Sequence, residues 1–207
     1  MSESHIIIGG GGHTRVLLGM LQAAGLPVAG IITSDPALRD SRIFSVPVLG
    51  LQGEVALPPG HLLVNGVGNR ASRRGSGLET RMQLFYGYQS QGGRFASVIS
   101  GHAVVQPEVR LGEGVQLMPG AVVQPGAVIG DNSIINTRAA VDHDVHIGAH
   151  THIAPGAVIC GGVTIGDQTH IGAGAVVIQG IRIGSNVMIG AGVVVRHHVS
   201  DGAIVAA

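Results

Sequence analysis

The sequence contains no lysine, no tryptophan, one cysteine and five aromatic residues, and only 12% of its residues are charged. The lone Cys160 excludes an intramolecular disulfide and is typical of a reducing compartment. All twelve basic residues are arginine, the formal net charge is zero, and no basic stripe indicates a nucleic-acid or membrane surface. No apolar run approaches the ~18 residues of a membrane span, and residues 1–5 lack the basic start of a signal peptide. We therefore expect a cytoplasmic protein with no nucleic-acid or membrane partner.

Small residues take the place of rings and charges. Glycine accounts for 35 of the 207 residues, well above its usual share of roughly 7%. The hydrophobic fraction is nevertheless 45%, so the chain is not a disordered polar one. A core without large rings has to be built from small aliphatic side chains in regular layers, which makes an internal repeat the first feature to look for.

An aliphatic residue recurs every six positions, without insertion, through the second half of the chain. The positions are Ile99, Val105, Leu111, Leu117, Val123, Ile129, Ile135, Val141, Ile147, Ile153, Ile159, Ile165, Ile171, Val177, Ile183, Ile189 and Val195. A small or β-branched residue follows four positions later, and glycine often follows directly, where it should relieve a turn. A period of six is neither helical nor simple strand alternation. It is typical of a solenoid in which each hexad forms one short strand and one turn, with the aliphatic residue inside.

The first half of the chain has the pattern of a small α/β unit. Strands are predicted at residues 6–8, 28–33, 62–64 and 95–98, and helices between residues 14 and 25 and over residues 71–86. Alternating strands and helices predict a parallel sheet. We therefore predict an α/β Rossmann-like domain over residues 1–95, followed by the solenoid domain over residues 96–207.

A run of four glycines, residues 9–12, lies between the first strand and the first helix. Such a turn lets backbone N–H groups approach a phosphate at the helix N-terminus. The dinucleotide pattern G-x-G-x-x-G is not met, because Thr14 takes the place of the third glycine. Asp35 ends the second strand, where a contact to a ribose or base is expected. The run therefore predicts a site for a nucleotide other than NAD, and a tight turn without a ligand is the alternative.

Histidines are concentrated in the solenoid. Five of the eleven fall in one region, namely His143, His146, His150, His152 and His170. Zinc-binding solenoids of the gamma-carbonic-anhydrase type use an H-x4-H pair, which these spacings do not supply, so no metal is expected. Acid–base chemistry fits better, since Asp142-His143-Asp144 should project outward at a corner, where a carboxylate orients the imidazole and raises its basicity. Gly161 lies three hexads later, and in a solenoid with three hexads in each coil it would leave space there and offer a backbone N–H to an oxyanion.

The hexads resemble the hexapeptide repeat of left-handed parallel β-helices, in which three hexads make one triangular coil. Residues 99–200 would supply between five and six coils. The segments GGGGH (residues 9–13), INT (135–137) and VDHD (141–144) resemble nucleotide-sugar acyltransferases of the sialic-acid O-acetyltransferase-like group. That group includes bacterial N-acetyltransferases acting on UDP- or GDP-4-amino-deoxysugars. The resemblance implies acetyl-CoA as co-substrate, a nucleotide sugar as acceptor and a homotrimer.

The resemblance also implies roles for single residues. His143 would be the catalytic base with Asp144 beside it, and Gly161 would contact the thioester. Acetyl-CoA would be bound by His152, Gly161, Ala173 and Ala191, and the nucleotide sugar by Gly10, Gly11, Gly12, His13, Asp35 and Asn136. Ser34 stands where some UDP-sugar members have a second acid, which leaves guanine open and favours an enzyme of the GDP-perosamine type. The end of the chain, residues 202–207, departs from the G-x-P-A-(K/R) segment that lies near CoA in the family.

These observations together predict N-acetylation of the 4-amino group of a nucleotide-linked deoxysugar, for surface polysaccharide or glycan synthesis. Two alternatives remain open. One is O-acetylation of a sialic-acid-like sugar, and the other is a non-catalytic trimeric scaffold. A scaffold, however, needs neither an Asp-His-Asp segment over a glycine nor a glycine-rich turn before the repeat.

Overall fold

The computed structural model describes residues 4–57, 60–69 and 75–206, which form two compact units. The first unit comprises the described residues of ranges 1–68 and 80–98, and the second those of ranges 69–79 and 99–207. Asn69 and residues 75–79, which the sequence placed in the first domain, thus belong to the second unit. Among the described residues, no helix is long and apolar enough to cross a membrane.

The first unit is built on a five-stranded sheet of order β3-β4-β2-β1-β5. Its elements are β1 (Ser4–Ile8), α1 (Gly12–Ala23), β2 (Val28–Thr33), a 3-10 turn (Pro36–Leu38), β3 (Arg42–Ile43), β4 (Val46–Leu51), β5 (His61–Asn65) and α2 (Glu79–Gln89). Strands β4, β2, β1 and β5 are parallel, and β3 is antiparallel to β4 at the edge. The predicted strands at residues 6–8, 28–33 and 62–64 and the predicted parallel sheet are confirmed.

Apolar burial fixes this sheet. Ile6, Ile7 and Ile8 of β1 are completely buried, as expected for a central parallel strand covered on both faces. Leu17, Leu18 and Leu21 of α1 recur at helical spacing and are buried as well. Each such side chain contributes about 1.5–3 kcal/mol relative to an exposed one.

Three features of the first half of the chain differ from the prediction. The hairpin of β3 and β4 was missed, because its turn residues Phe44 (φ 47°) and Ser45 (φ 70°) are left-handed without the Asn-Gly signal that usually marks such a turn. The helix predicted over residues 71–86 begins only at Glu79, while residues 71–74 lie outside the described residues. Phe95 forms a single parallel bridge with Leu63, and the last predicted strand is found instead at Val98–Ile99.

The second unit is a left-handed parallel β-helix, as the hexads predicted. Its strands, each two residues long, are β6 (Val98–Ile99), β7 (Val104–Val105), β8 (Arg110–Leu111), β9 (Gln116–Leu117), β10 (Val122–Val123), β11 (Val128–Ile129), β12 (Ile134–Ile135), β13 (Ala140–Val141), β14 (His146–Ile147), β15 (His152–Ile153), β16 (Val158–Ile159), β17 (Thr164–Ile165), β18 (His170–Ile171), β19 (Val176–Val177), β20 (Arg182–Ile183), β21 (Met188–Ile189), β22 (Val194–Val195) and β23 (Ile204–Val205). They stack into three parallel sheets.

The coil length follows from the strand register. Val123 pairs with Val141 and Ile135 with Ile153, both 18 residues apart, so that three hexads complete one coil. At the end of the helix the repeat shortens, since Met188 pairs with Ile204, 16 residues later. The aliphatic positions from Leu117 to Val195 are buried in one continuous core, whereas Ile99, in the first coil, is 45% exposed.

The turns use glycine differently from the prediction. The glycines that directly follow the aliphatic position are not left-handed; they are small because the next coil passes closely. A Cβ on Gly130, for example, would lie 2.6 Å from the Ala149 nitrogen. From Glu108 to Gly192, the left-handed residue comes two positions later in each hexad, for instance Arg138 (φ 56°) and Asp144 (φ 58°). Side chains at that position are therefore directed by an unusual backbone conformation.

Candidate active site

His143 lies at a turn of the β-helix, between strands β13 and β14, and its side chain is 62% exposed. Its Nδ1 and the Oδ2 of Asp144 are 2.9 Å apart, and its backbone N–H donates to Oδ1 of Asp142 at 2.8 Å. The left-handed conformation of Asp144 turns its carboxylate back onto the preceding residue. Asp144 thus fixes one ring nitrogen, Asp142 holds the backbone, and Nε2 is left available to a substrate. We call residues 124–126, 142–144, 160–162 and 178–180 the His143 corner.

The surroundings of His143 raise its pKa. The hydrogen bond to Asp144 is the largest cause, and the negative charge of Asp142 adds to it; both favour the imidazolium. A histidine with this environment is a stronger base than a free one. The arrangement is suited to accepting a proton from a nucleophile.

Gly161 lies directly against the imidazole, one coil on. A Cβ at this position would be 2.7 Å from Nε2 of His143, so any side chain would displace the ring. The Gly161 carbonyl accepts from Gly180, but its N–H donates no hydrogen bond to the described residues. A bare N–H beside an imidazole is the combination that an acyl-transfer site requires.

A second group of residues surrounds Asn136, at another corner. Asn136 Nδ2 donates to Nε2 of His152 at 2.9 Å, while its Oδ1 accepts from the Thr137 N–H at 2.7 Å. The predicted sugar contact and the predicted acetyl-CoA contact are thereby brought together. Residues 118–120, 136–138, 154–156, 172–174 and 190–192 form what we call the Asn136 corner.

His170 is buried beside His152. The two rings meet edge to face with centroids 5.1 Å apart, and Asn69 Nδ2 donates to Nδ1 of His170 at 3.1 Å. Burial lowers the pKa of His170 to about 4, so the ring is neutral at physiological pH. No sequence signal pointed to Asn69, because the two residues are 101 positions apart.

Ala173 and Ala191 are exposed at successive turns of the Asn136 corner. They continue the column that begins with Pro119, Thr137 and Pro155. An open groove of about 580 Å³ lies on the same corner, in the coils that precede Ala173. It is lined by Pro119, Gly120, Thr137, Arg138, Pro155 and Gly156. The sequence did not single out Arg138. Asn136, Ala173 and Ala191 therefore share one corner, and His152 of strand β15 is hydrogen-bonded to it. His143, Asp144 and Gly161 share another corner, with strand β13 between the two.

The four glycines of the first unit have two kinds of surroundings. A Cβ on Gly9 would lie 2.8 Å from the Gly66 carbonyl carbon, and one on Gly10 would lie 2.6 Å from Leu38. Gly11 and Gly12 have nothing within 4 Å of a Cβ, so packing does not require them to be glycine. Gly11 caps α1 without a side-chain hydrogen bond, and the first turn of the helix holds no acid. An anion would be stabilised there by the helix N-terminus.

His13 and Asp35 flank that turn along the chain. His13 is the second residue of α1, and the Cα of Gly68 approaches it so closely that a Cβ there would be 3.3 Å from the His13 Cβ. Asp35 is exposed, and its Oδ1 accepts from the Ala37 N–H at 3.0 Å, which starts the 3-10 turn. Asp35 thus has a structural role besides the predicted contact to a base or ribose.

The segment after β5 is held by a buried arginine. Arg81 Nη1 donates to the carbonyls of Asn65 and Val67 at 2.8 Å each, and Asn65 Nδ2 donates to the Arg81 carbonyl at 2.9 Å. Burial lowers the pKa of Arg81 to about 9. Thr14 also donates to the Gly66 carbonyl at 3.1 Å, which joins α1 to the end of β5.

The histidines do not form a metal centre within the described ranges. No group of three His, Cys, Asp or Glu side chains is placed to hold a metal ion there. His150 instead accepts at Nδ1 from Asn132 at 2.9 Å, and both residues are buried.

Comparison with known proteins identifies the repeat. The family model of bacterial hexapeptide transferases (six repeats) matches four overlapping segments, residues 108–143, 126–161, 144–179 and 162–197. A comparison with curated proteins found no match.

Several solved structures are similar over nearly the whole chain. One is a mutant of perosamine N-acetyltransferase from Caulobacter crescentus in complex with CoA and GDP-perosamine, with 36% identity, 99% of this chain and 93% of that chain covered, and a TM-score of 0.87. Another is the acetyltransferase domain of PglB from Neisseria gonorrhoeae FA1090 in complex with acetyl coenzyme A, with 31% identity, coverage of 99% and 96%, and a TM-score of 0.86. A third is WeeI from Acinetobacter baumannii AYE, with 25% identity, coverage of 99% and 97%, and a TM-score of 0.84.

Proposed function

Because this chain belongs to the family of hexapeptide-repeat transferases that includes perosamine N-acetyltransferase, we propose that it is an acetyl-CoA-dependent N-acetyltransferase. Its acceptor is the 4-amino group of a nucleotide-linked deoxysugar, and a GDP-sugar of the perosamine type is the first candidate, with a UDP-sugar as the other. The product would serve surface polysaccharide or glycan synthesis. The observation that carries the proposal is His143, held by Asp144 above the N–H of Gly161.

The chemistry follows from these three residues. His143 Nε2 accepts a proton from the sugar amine as the nitrogen attacks the thioester carbonyl carbon, and the Nδ1–H remains bonded to Asp144. The carbonyl oxygen gains negative charge and accepts a hydrogen bond from Gly161 N–H. Collapse of the tetrahedral intermediate breaks the C–S bond. The proton held by His143 then passes to the departing CoA sulfur, and the products are the amide and CoA–SH.

The Asn136 corner offers side chains for the remaining contacts to acetyl-CoA and the sugar nucleotide. His152 and Asn136 are joined by a hydrogen bond, and Ala173 and Ala191 offer only small side chains along the same corner. We assign His152, Ala173 and Ala191 to acetyl-CoA and Asn136 to the sugar nucleotide. No metal takes part in this scheme.

The first unit is proposed to be a Rossmann-like nucleotide-binding domain. In the order β4-β2-β1-β5, the chain proceeds from β1 to β2 on one side, and β5 lies on the other. Ligands of open parallel sheets bind at the carboxyl ends of the strands beside such a reversal. Gly10, Gly11, Gly12 and His13 follow β1, and Asp35 follows β2. The diphosphate would bind at the N-terminus of α1, and Asp35 would accept a hydrogen bond from the base or ribose.

The working form is proposed to be a homotrimer. The outward residues of the sheet β7-β10-β13-β16-β19-β22 include Val104, Val122, Val158 and Val176, and Val158 is 39% exposed. This apolar face lies between the His143 corner and the Asn136 corner of one chain. A substrate that contacts both corners would need a neighbouring copy to bring them together. Light scattering should show a trimer at micromolar concentration, and a stable monomer would contradict this assignment. The cytoplasmic location remains a prediction.

A ligand screen tests the proposed activity. Thermal unfolding is measured with UDP-, GDP-, CMP- and dTDP-sugars, each with and without CoA, because a ligand that binds the native state raises the unfolding temperature. The proposal expects stabilisation by CoA and by a 4-amino-sugar nucleotide. Mass spectrometry of the product then separates an amide from an ester, and an O-acetyl product would support the sialic-acid-type alternative instead. A chain that binds none of these ligands would contradict the enzyme assignment.

The nucleotide site has its own test. Asp35→Ala should weaken the nucleotide sugar by ~1–3 kcal/mol if it leaves a buried donor of the ligand unpaired. The CoA affinity should not change. Equal loss of both affinities would instead indicate damage to the fold.

A further inference from the structure

One residue of the Asn136 corner differs in type from the residues at the equivalent position of neighbouring coils. The left-handed position at this corner is glycine in four coils, Gly120, Gly156, Gly174 and Gly192, with φ between 64° and 74°. In the coil between Gly120 and Gly156 it is Arg138, with φ 56°. Any side chain is disfavoured in this backbone conformation, so that glycine would be the residue expected there.

The surroundings of Arg138 direct its side chain along the groove. Its Cγ would be 3.1 Å from a Cβ placed on Gly120, so the stem of the arginine lies against that glycine of the preceding coil. Asp144, six residues later, lies in the same way, with its Oδ1 2.8 Å from a Cβ placed on Gly126. The same coil therefore carries a carboxylate and a guanidinium at equivalent positions of two of its three corners, and the carboxylate is the partner of His143.

The guanidinium has no partner among the described residues. Arg138 is exposed, and its side chain forms neither an ion pair nor a hydrogen bond with them. The groove that it lines, of about 580 Å³, has no other charged residue in its lining. The groove is open to solvent, and its volume falls within the range of about 300–1,000 Å³ found for small-molecule sites. The groove thus combines neutral walls of proline, glycine and threonine with a single planar cation.

From this geometry we infer that Arg138 is a phosphate-binding residue, which contacts a phosphate group of one of the two substrates. The inference rests on the proposed function, since both acetyl-CoA and a nucleotide sugar carry a diphosphate. A guanidinium binds phosphate oxygens through two parallel N–H donors, and such charge-assisted bonds are stronger than neutral ones. Asn136, two residues away, would place the bound substrate beside His152.

The decisive variant is Arg138→Gly, because glycine suits the backbone at this position. The variant should be at least as stable as the natural chain, so that a loss of binding cannot be attributed to unfolding. Gln168→Gly is the matched control: Gln168 has the same left-handed conformation (φ 54°) but lies at a different corner. Arg138→Lys retains the charge without the planar pair of donors.

Calorimetric titration distinguishes the two sources of phosphate. The titrants are CoA, 3′-dephospho-CoA, a GDP-sugar and a UDP-sugar. Arg138→Gly should weaken one substrate about 10- to 100-fold and leave the other unchanged. If the 3′-phosphate of CoA is the group bound, the natural chain prefers CoA over its dephospho form and the variant does not. If the sugar diphosphate is bound, only the nucleotide sugars lose affinity. Arg138→Lys should lie between the two, and Gln168→Gly should bind as the natural chain does.

Three results would overturn the inference. Unchanged affinity of Arg138→Gly for every titrant would remove the phosphate role while leaving the N-acetyltransferase activity intact. Loss of the trimer in that variant, measured by light scattering, would assign the arginine to a contact between copies. A natural chain that binds neither CoA nor any nucleotide sugar would overturn both this inference and the proposed function.

Discussion

His143 and His170 lie on the same β-helix, yet their surroundings shift their pKa values in opposite directions. His143 is exposed and bonded to Asp144, so its pKa is raised. His170 is buried and accepts a hydrogen bond from the neutral amide of Asn69, and burial lowers its pKa to about 4. His143 is thereby made a stronger base, whereas His170 stays neutral at physiological pH and serves as a fixed acceptor. The location of a histidine on the coil, and not its presence in a cluster, decides its chemistry.

The largest expected effect tests the exposed member of this pair. His143→Ala should lower kcat about 10²–10⁴-fold, the usual contribution of a general base. CoA and nucleotide-sugar affinities should change little, because most of the contacts proposed for both ligands lie outside the His143 ring. His197→Ala, which removes another exposed histidine of the β-helix, is the control and should keep full activity. A His143→Ala enzyme with most of its kcat at neutral pH would refute the assignment.

Gly161→Val tests the space beside the His143 ring, where the thioester is proposed to bind. A Cβ here would meet Nε2 of His143, and overpacking of this kind costs ~1–3 kcal/mol. Acetyl-CoA affinity, measured by calorimetry, should fall roughly 10- to 100-fold, while the interior ladder and the fold survive. Gly101→Ala is the matched control, because nothing lies within 4 Å of a Cβ at that turn. Normal acetyl-CoA binding by Gly161→Val would contradict the proposed pocket.

His170, the buried histidine, should affect the stability of the fold and not the catalytic rate. Its folded-state pKa of about 4 lies below the ordinary value of 6.5, so the unfolded chain binds the proton more tightly. The contribution of neutral His170 to the free energy of unfolding is present above pH 6.5 and is lost as the pH falls toward 4. The loss between pH 7 and pH 5 should be roughly 2 kcal/mol.

His170→Gln would reduce this pH dependence, since glutamine cannot titrate but can accept from Asn69. The change is measured by denaturant unfolding at the two pH values. His197→Gln, at an exposed histidine, should leave the dependence as it is. An unaltered pH dependence in His170→Gln would show that the buried ring is not the titrating group.

Asp144→Asn should have the smallest effect on the rate. The new amide is expected to orient the ring but to remove the largest cause of its raised pKa, so kcat should fall about tenfold, less than in His143→Ala. Activity requires the neutral imidazole. The acid limb of the pH–rate profile should therefore move to lower pH in this variant. A limb that stays in place would mean that another group is titrating.

The β-helix could be predicted almost completely from the sequence. Each interior position requires a buried aliphatic side chain, and every coil packs on the next one in the same way. The pairing of Val123 with Val141 follows from the period together with the resemblance to β-helices that have three hexads in each coil. The His143 corner could be predicted for the same reason, because Gly161 lies at the equivalent position one coil on.

Contacts between residues whose separation is not a multiple of the six-residue period could not be predicted. Asn136 and His152 are 16 residues apart and meet diagonally, and Asn69 reaches His170 across 101 residues. The hairpin of β3 and β4 was hidden by turn residues of unusual type, and the shortened last coil follows no rule visible in the hexads. Arg138 was missed because composition does not reveal that its backbone is left-handed.

The 18-residue coil, which is uniform until the shortened last coil, has a consequence for how a functional group can be moved along this molecule. Neighbouring parallel strands are about 4.8 Å apart, so a side chain transferred to the position 18 residues later keeps its corner and its direction. Only its height along the helix axis changes, by one strand spacing. The distance between the base and a group bound elsewhere on the β-helix is therefore adjustable in whole-coil steps and in no smaller ones. A substrate longer or shorter by a fraction of that step must be accommodated by side chains, because the backbone offers no intermediate position.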